Sequence, residues 1–211
     1  MKAIVYHQYG PPDGVLEFAD VDDPVAGEEE AVVQVLGAAV NPGDWFLLGG
    51  TPYILRFSSG LRRPRHEVLG LAVAGRVATV GAKVSEFQPG DEVYAEVNRG
   101  GFAQRVCVSQ DALAPKPAGL SFEQAAAVPV VGVTALQALR DIGQVQSGQR
   151  TLITGTSGGV GSFAVQIAKV FGAEVTGVCS TANVGWFIRS EPTTGSTTPG
   201  KTSRPAEPAT T

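Results

Sequence analysis

Through roughly the first 120 residues, apolar positions come in short runs separated by turn residues, without helical spacing. Ala31-Val32-Val33-Gln34-Val35-Leu36 and Val73 to Val80 are β-branched runs of this kind, and Gly or Pro punctuates the chain about every ten residues. Gln88-Pro89-Gly90-Asp91-Glu92-Val93 reads as a tight turn feeding another strand. Many short strands with such turns predict a partly open barrel or a sandwich over residues 1–120. The pattern changes at Ser121. Phe122 to Ala127 reads as a helix start, with Ser121 as N-cap and Gln124 completing a capping box. Thr134 to Ile142 has helical spacing and ends at Gly143. A strand over Thr151 to Thr154, a glycine-rich turn, a helix from about Val160 to Phe171 and a strand over Glu174 to Cys179 then predict a β-α-β unit, ending the second region near residue 183. From Arg189 to Thr211 there is no Val, Leu, Ile, Phe, Met, Tyr or Trp. Such a segment buries too little apolar surface to offset the entropy of ordering, so residues 184–211 are expected to be a disordered tail.

Composition narrows the function. Of the 211 residues, 43% are apolar and 17% charged, enough for a packed core. The formal charge of −4 argues against a nucleic-acid partner. The short basic cluster Arg62-Arg63-Pro64-Arg65 reads as a solvated loop. Cys107 and Cys179 lie far apart and show no paired spacing, so nothing indicates a disulfide framework. The most apolar stretch, Ala125 to Leu139, is interrupted by Pro129 and Gln137 and is too short to cross a bilayer. Met1 leads straight into strand-like sequence without a signal peptide, so a soluble cytoplasmic protein is expected.

The chemistry points to Gly155-Thr156-Ser157-Gly158-Gly159-Val160-Gly161, between a strand and a helix. Glycines let the backbone approach a phosphate closely, and the helix start presents free N–H groups to it. Alone the run could be a tight turn; its setting within a β-α-β unit favours dinucleotide binding by Ser157, Gly158, Gly159, Val160 and Gly161. An NAD site places an acid at the end of the second strand, about 20 residues on. Here Ser180, Thr181 and Asn183 stand there with no acid, leaving room and donors for a 2′-phosphate. NADPH is therefore expected over NADH. An ordinary polar strand end is the alternative.

At these positions the chain resembles the medium-chain dehydrogenase/reductases, in their zinc-free quinone-oxidoreductase (zeta-crystallin-like) branch. The landmarks follow in order: Lys2-Ala3-Ile4, Val40-Asn41-Pro42-Gly43-Asp44, Phe87 to Val93, Gly100-Gly101-Phe102-Ala103, Ala126-Ala127-Val128-Pro129, Gly132-Val133-Thr134-Ala135 and Ser157 to Gly161. The resemblance implies a GroES-like domain followed by the start of a Rossmann domain. It also implies NADPH-dependent hydride transfer to a quinone, enone or related carbonyl acceptor, and a family that is often homodimeric. By resemblance, Asn41 borders the substrate and Thr134 contacts the cofactor. Asn41-Pro42 is also a turn starter, and Thr134 could cap a helix.

Zinc-dependent relatives carry Gly-His-Glu followed by two further glycines, matched in spacing here by Gly70, Gly75 and Gly81. Leu71 and Ala72 replace the His and Glu, and Asn41 stands near the lost cysteine. A leucine cannot coordinate zinc, so no metal is expected. His66-Glu67 lies out of register and reads as loop. Two rival functions remain: a catalytically silent GroES-like binding or oligomerisation fragment, and a zinc alcohol dehydrogenase, which Leu71 disfavours.

The family continues with Leu-Gly-Ala-Asp, two variable residues, then Ile-Asp-Tyr, none of which follows here. One allowed coding of Ser190 onward, read one base earlier from the end of the Arg189 codon, spells Leu-Gly-Ala-Asp-His-Gly-Ile-Asp-Tyr. A frameshift near Val184 to Gly185 is one explanation, which would leave a truncated and impaired enzyme. A natural low-complexity linker is the other.

Overall fold

Alternation of small and β-branched residues gives the first strands one buried face, and the architecture follows from pairing those faces. The computed structural model describes residues 1–183, which fall into two units, Met1–Val130 and Val131 onward. Expectations about residues 184–211 lie outside the described residues.

The first unit begins with strand β1 (Lys2–Tyr6), a single helical turn α1 (Pro12–Val15) and β2 (Leu16–Asp20), which returns antiparallel to β1. Next come β3 (Glu30–Ala39), helix α2 (Pro42–Gly49), a 3-10 turn at Tyr53–Leu55 and a short helix α3 (Arg56–Ser59). Then follow β4 (Ala72–Val80), β5 (Glu92–Glu96), β6 (Arg105–Ser109), β7 (Leu113–Pro115) and helix α4 (Phe122–Ala126). The last five strands named form one antiparallel sheet in the order β6-β3-β4-β5-β7. Isolated bridges from Ala3 to Ala103 and from Val5 to Val68 join β1 to the segments that lead into β6 and β4. Val33, Val73 and Val93 are fully buried in the centre of this sheet's core. The turn expected before β5 forms as read: the Asp91 carboxylate accepts the Gln88 N–H at 2.9 Å, and Gly90 takes a φ of +98°.

Helix α4 has the capping box expected of it, Ser121 Oγ accepting from Gln124 N–H at 3.2 Å and Gln124 Oε1 from Ser121 N–H at 2.9 Å. It does not open the second region. The division falls after Val130 rather than near Ser121, because Ala125 and Ala126 are fully buried with Ala74 of β4. The Phe122 ring lies near two cations, 5.6 Å from the Arg76 guanidinium and 5.1 Å from the Lys116 ammonium. A side chain at Gly37 would lie 2.7 Å from the Phe122 carbonyl oxygen, so glycine permits this close seat on β3.

At the division, helix α5 (Pro129–Leu136) starts on a proline, whose missing N–H costs nothing in a first turn. It runs into a π-helical stretch, Gln137–Ile142, closed by Gly143 N–H donating to Ala138 O. The helix expected from Thr134 is thus longer, and Thr134 sits inside it rather than capping it.

In the second unit, β8 (Arg150–Thr154) and β9 (Glu174–Val178) are parallel, with helix α6 (Gly159–Val170) between them in sequence. This is the β-α-β unit read from the pattern. Gly161, Ala164, Val165 and Ala168 are buried along α6 at helical spacing. Ala164, Val165 and Ala168 pack with Ala135, Leu139, Ile153 and Val175. Gly172, at φ +80°, ends the helix as expected.

Candidate functional site

In the second unit, the C-terminal end of β8 passes into Gly155 at φ +71°, a conformation that glycine adopts without strain. The Gly155 and Thr156 N–H groups both donate to Val178 O, at 2.8 and 3.1 Å, anchoring the turn to the end of β9. Thr156 is fully buried, and its hydroxyl lies 3.3 Å from the same carbonyl. Gly158 N–H closes the turn on Gly155 O at 2.9 Å. Gly158 is the N-cap of α6 and has no side chain with which to cap it. The first helical bond runs from Ser162 N–H to Gly158 O at 3.0 Å. The N–H groups of Gly159, Val160 and Gly161 therefore precede the helical ladder. A Cβ at Gly161 would collide with the Gly155 carbonyl oxygen, so the turn can fold onto the helix only with glycine there.

The residues expected to read the ribose come together at the same end of the unit. Thr181–Asn183 forms a 3-10 turn just after β9, closed by Asn183 N–H donating to Ser180 O at 2.9 Å. Asn183 Nδ2 donates to Ser157 Oγ at 3.0 Å, joining the strand end to the glycine turn. Ser157, Gly158, Gly159, Val160, Gly161, Ser180, Thr181 and Asn183 thus lie on two adjoining segments. Thr134 lies apart from them in sequence, within α5. These residues fit a dinucleotide: an uncapped helix start of 12 residues, a crowded Gly161, and open space around Gly155 where a side chain would project.

Asn41, in the first unit, is the N-cap of α2 and is buried. Its side-chain amide donates to Ala39 O at 3.1 Å. The residue that organises this corner is Asp44, which received no role in the sequence reading. It is 3% exposed, and its carboxylate accepts the Asn41 N–H at 2.8 Å and the Gly70 N–H at 3.0 Å. Burial pushes the Asp44 carboxyl above its ordinary value, against the two N–H donors that pull it down. Asp44 therefore fastens the start of α2 to the Gly70-Leu71 segment. Leu71 packs there: a Cβ at Gly43 would lie 2.6 Å from Leu71 Cδ1. The signal for Asp44 was the Asn-x-x-Asp spacing of a capping box, visible in sequence; its bond to Gly70 was not.

An alcohol dehydrogenase GroES-like domain matches residues 27–118, within the first unit. A mouse protein named NAD(P)H oxidoreductase RTN4IP1, mitochondrial, is 39% identical over 167 residues, covering 72% of this chain and 42% of its own. The chloroplast envelope quinone oxidoreductase homolog of Arabidopsis thaliana is 34% identical over 198 residues, 90% of this chain and 58% of its own. The solved quinone oxidoreductase of Coxiella burnetii superposes with a TM-score of 0.80 at 32% identity, over 93% of this chain and 61% of its own. The chain belongs to the medium-chain dehydrogenase/reductase superfamily.

Within this oxidoreductase superfamily it sits in the quinone-oxidoreductase-like branch, with a GroES-like unit followed by the start of a Rossmann domain. The chain spans about half the length of the curated relatives it matches. Two of those relatives carry organelle names, which lend no support to the cytoplasmic placement expected. Among the described residues, no helix is long and apolar enough to cross a membrane. None of their His, Cys, Asp and Glu side chains gather in a group of three or more able to hold a metal ion.

Proposed function

We propose that the chain is part of a zinc-free enzyme that passes hydride from NADPH to a quinone, an enone or a related carbonyl acceptor. The observation that carries this reading is the glycine turn at the uncapped start of α6, joined through Ser157 and Asn183 to a strand end without an acid. The N–H groups of Gly159, Val160 and Gly161 would hold the pyrophosphate, where the helix dipole favours negative charge. Ser157, Ser180 and Thr181 retain hydroxyl groups for the ribose 2′-phosphate. The amide of Asn183 already holds Ser157, and so fixes the position of that hydroxyl. Thr134 joins this set as a cofactor contact, and Asn41 as the residue bordering the acceptor; both assignments rest on the family resemblance.

The bound nicotinamide supplies the hydride, and the protein's part is to orient it and keep water out. With hydrocarbon from Leu71 packed against Gly43, the first unit offers no Lewis acid at this corner. Electron-poor acceptors suit such a site, because they need less polarisation before hydride arrives.

Calorimetric titration with NADPH and with NADH tests the cofactor reading. Binding should favour NADPH, and Ser180→Asp should reverse the preference by setting a carboxylate against the 2′-phosphate. Tighter binding of NADH by the unaltered chain refutes it. About one tightly held zinc per chain in elemental analysis would refute the zinc-free branch.

A further inference from the structure

Tyr6, the last residue of β1, is 3% exposed, yet its hydroxyl makes no hydrogen bond to protein among the described residues and keeps access to solvent. A phenol so deeply buried ordinarily finds a partner. What it meets instead is a cavity of about 140 Å³, with Leu47 and Leu69 beside it and His66, Asn98 and Arg99 toward solvent. We propose that this cavity is a binding subsite for a small oxyanion, a carboxylate or a phosphate group, held by the Tyr6 hydroxyl, the Arg99 guanidinium and the Asn98 amide.

Three observations select that chemistry. The first is the donor set. The side chains of Asn98 and Arg99, like the Tyr6 hydroxyl, make no hydrogen bond or ion pair among the described residues, and no carboxylate lines the cavity. Ser58 and Ser59 also line it, but both hydroxyls donate to Leu55 O at 2.9 Å and so offer no free proton.

The second is charge. Burial first, then Tyr9, pushes the Tyr6 phenol up to about 12, so it remains a neutral donor at any physiological pH. Arg99 pulls the other way, which means that its positive field reaches the hydroxyl. A cation would be repelled there, and an apolar ligand would leave the phenol without a partner.

The third is size. At ~30 Å³ per liquid water, a space of about 140 Å³ suits about five waters or one ion of four or five heavy atoms. The cavity lies wholly in the first unit, so the inference stands apart from the cofactor reading.

The test is calorimetric titration of the purified chain with sodium acetate and with sodium phosphate, ionic strength being held constant with sodium chloride. At least one anion should bind saturably at a single site, and the tighter of the two identifies the group recognised. Tyr6→Phe keeps the buried ring and removes only the hydroxyl. It should weaken binding about tenfold while leaving the thermal midpoint unchanged or raised. Arg99→Gln, at the rim, should weaken binding at least as much, and it reads the proposal even if Tyr6→Phe folds poorly. Absence of saturable binding by both anions, or affinities that neither variant changes, overturns the proposal and leaves a water-filled cavity.

Discussion

Removing the Asp44 carboxylate should destabilise the first unit in a pH-dependent way whose sign reports which force dominates. Asp44→Ala leaves the N–H groups of Asn41 and Gly70 without their acceptor, in a corner where Asp44 itself is 3% exposed. Each buried donor so orphaned costs about 1–3 kcal/mol, so a loss of about 3 kcal/mol is expected. Asp44→Asn keeps one acceptor oxygen but turns an NH2 group toward the other donor, for a loss of about 2 kcal/mol. Because burial raises the Asp44 carboxyl above its ordinary 3.8, the folded chain holds this proton more tightly than the unfolded chain does. Stability from this group is then fully present below pH 3.8 and is lost as pH rises through the folded value. Neither variant has that loss, so the penalty for either substitution should shrink between pH 4 and pH 7. Other carboxylates titrate in all three proteins and largely cancel. The assay is urea unfolding of the wild type and both variants across this range, followed by far-ultraviolet circular dichroism and by tryptophan fluorescence. A penalty below about 0.5 kcal/mol, within the range of ordinary surface substitutions, would refute the structural role. A penalty that grows with pH would show that the two N–H donors outweigh burial, reversing the assigned cause.

Two further predictions test other parts of the chain. Gly161→Ala drives a methyl group into the Gly155 carbonyl, with Thr156 Cα 2.8 Å away; it should cost about 2–3 kcal/mol and abolish NADPH binding, and wild-type affinity in calorimetry would contradict the turn's geometry. Arg56 stacks 4.4 Å from the Tyr9 ring centre and 4.8 Å from that of Tyr53, while its Nε donates to Gly50 O at 2.9 Å. Arg56→Lys cannot reproduce that flat, bonded stack and should lose about 1 kcal/mol in urea unfolding; a change under about 0.3 kcal/mol would show the stack to be incidental.

The sequence by itself determined the features that depend on neighbours along the chain. The Ser121 capping box, the turn at Gln88 to Asp91 and the helix stop at Gly172 each involve residues a few positions apart. The β-α-β unit also formed as read, because hydrophobic period and glycine placement are local signals. Tertiary structure decided what depends on sheet order. Helix α4 joins the first unit because Ala74 and Gly37 receive it. Asp44 reaches Gly70, Asn183 reaches Ser157, and Tyr6 meets Asn98 and Arg99 across one cavity. Closing loops of that length costs entropy that only the assembled core offsets, so these contacts exist because the strands pair in one particular order. No residue type or spacing in the chain announces them.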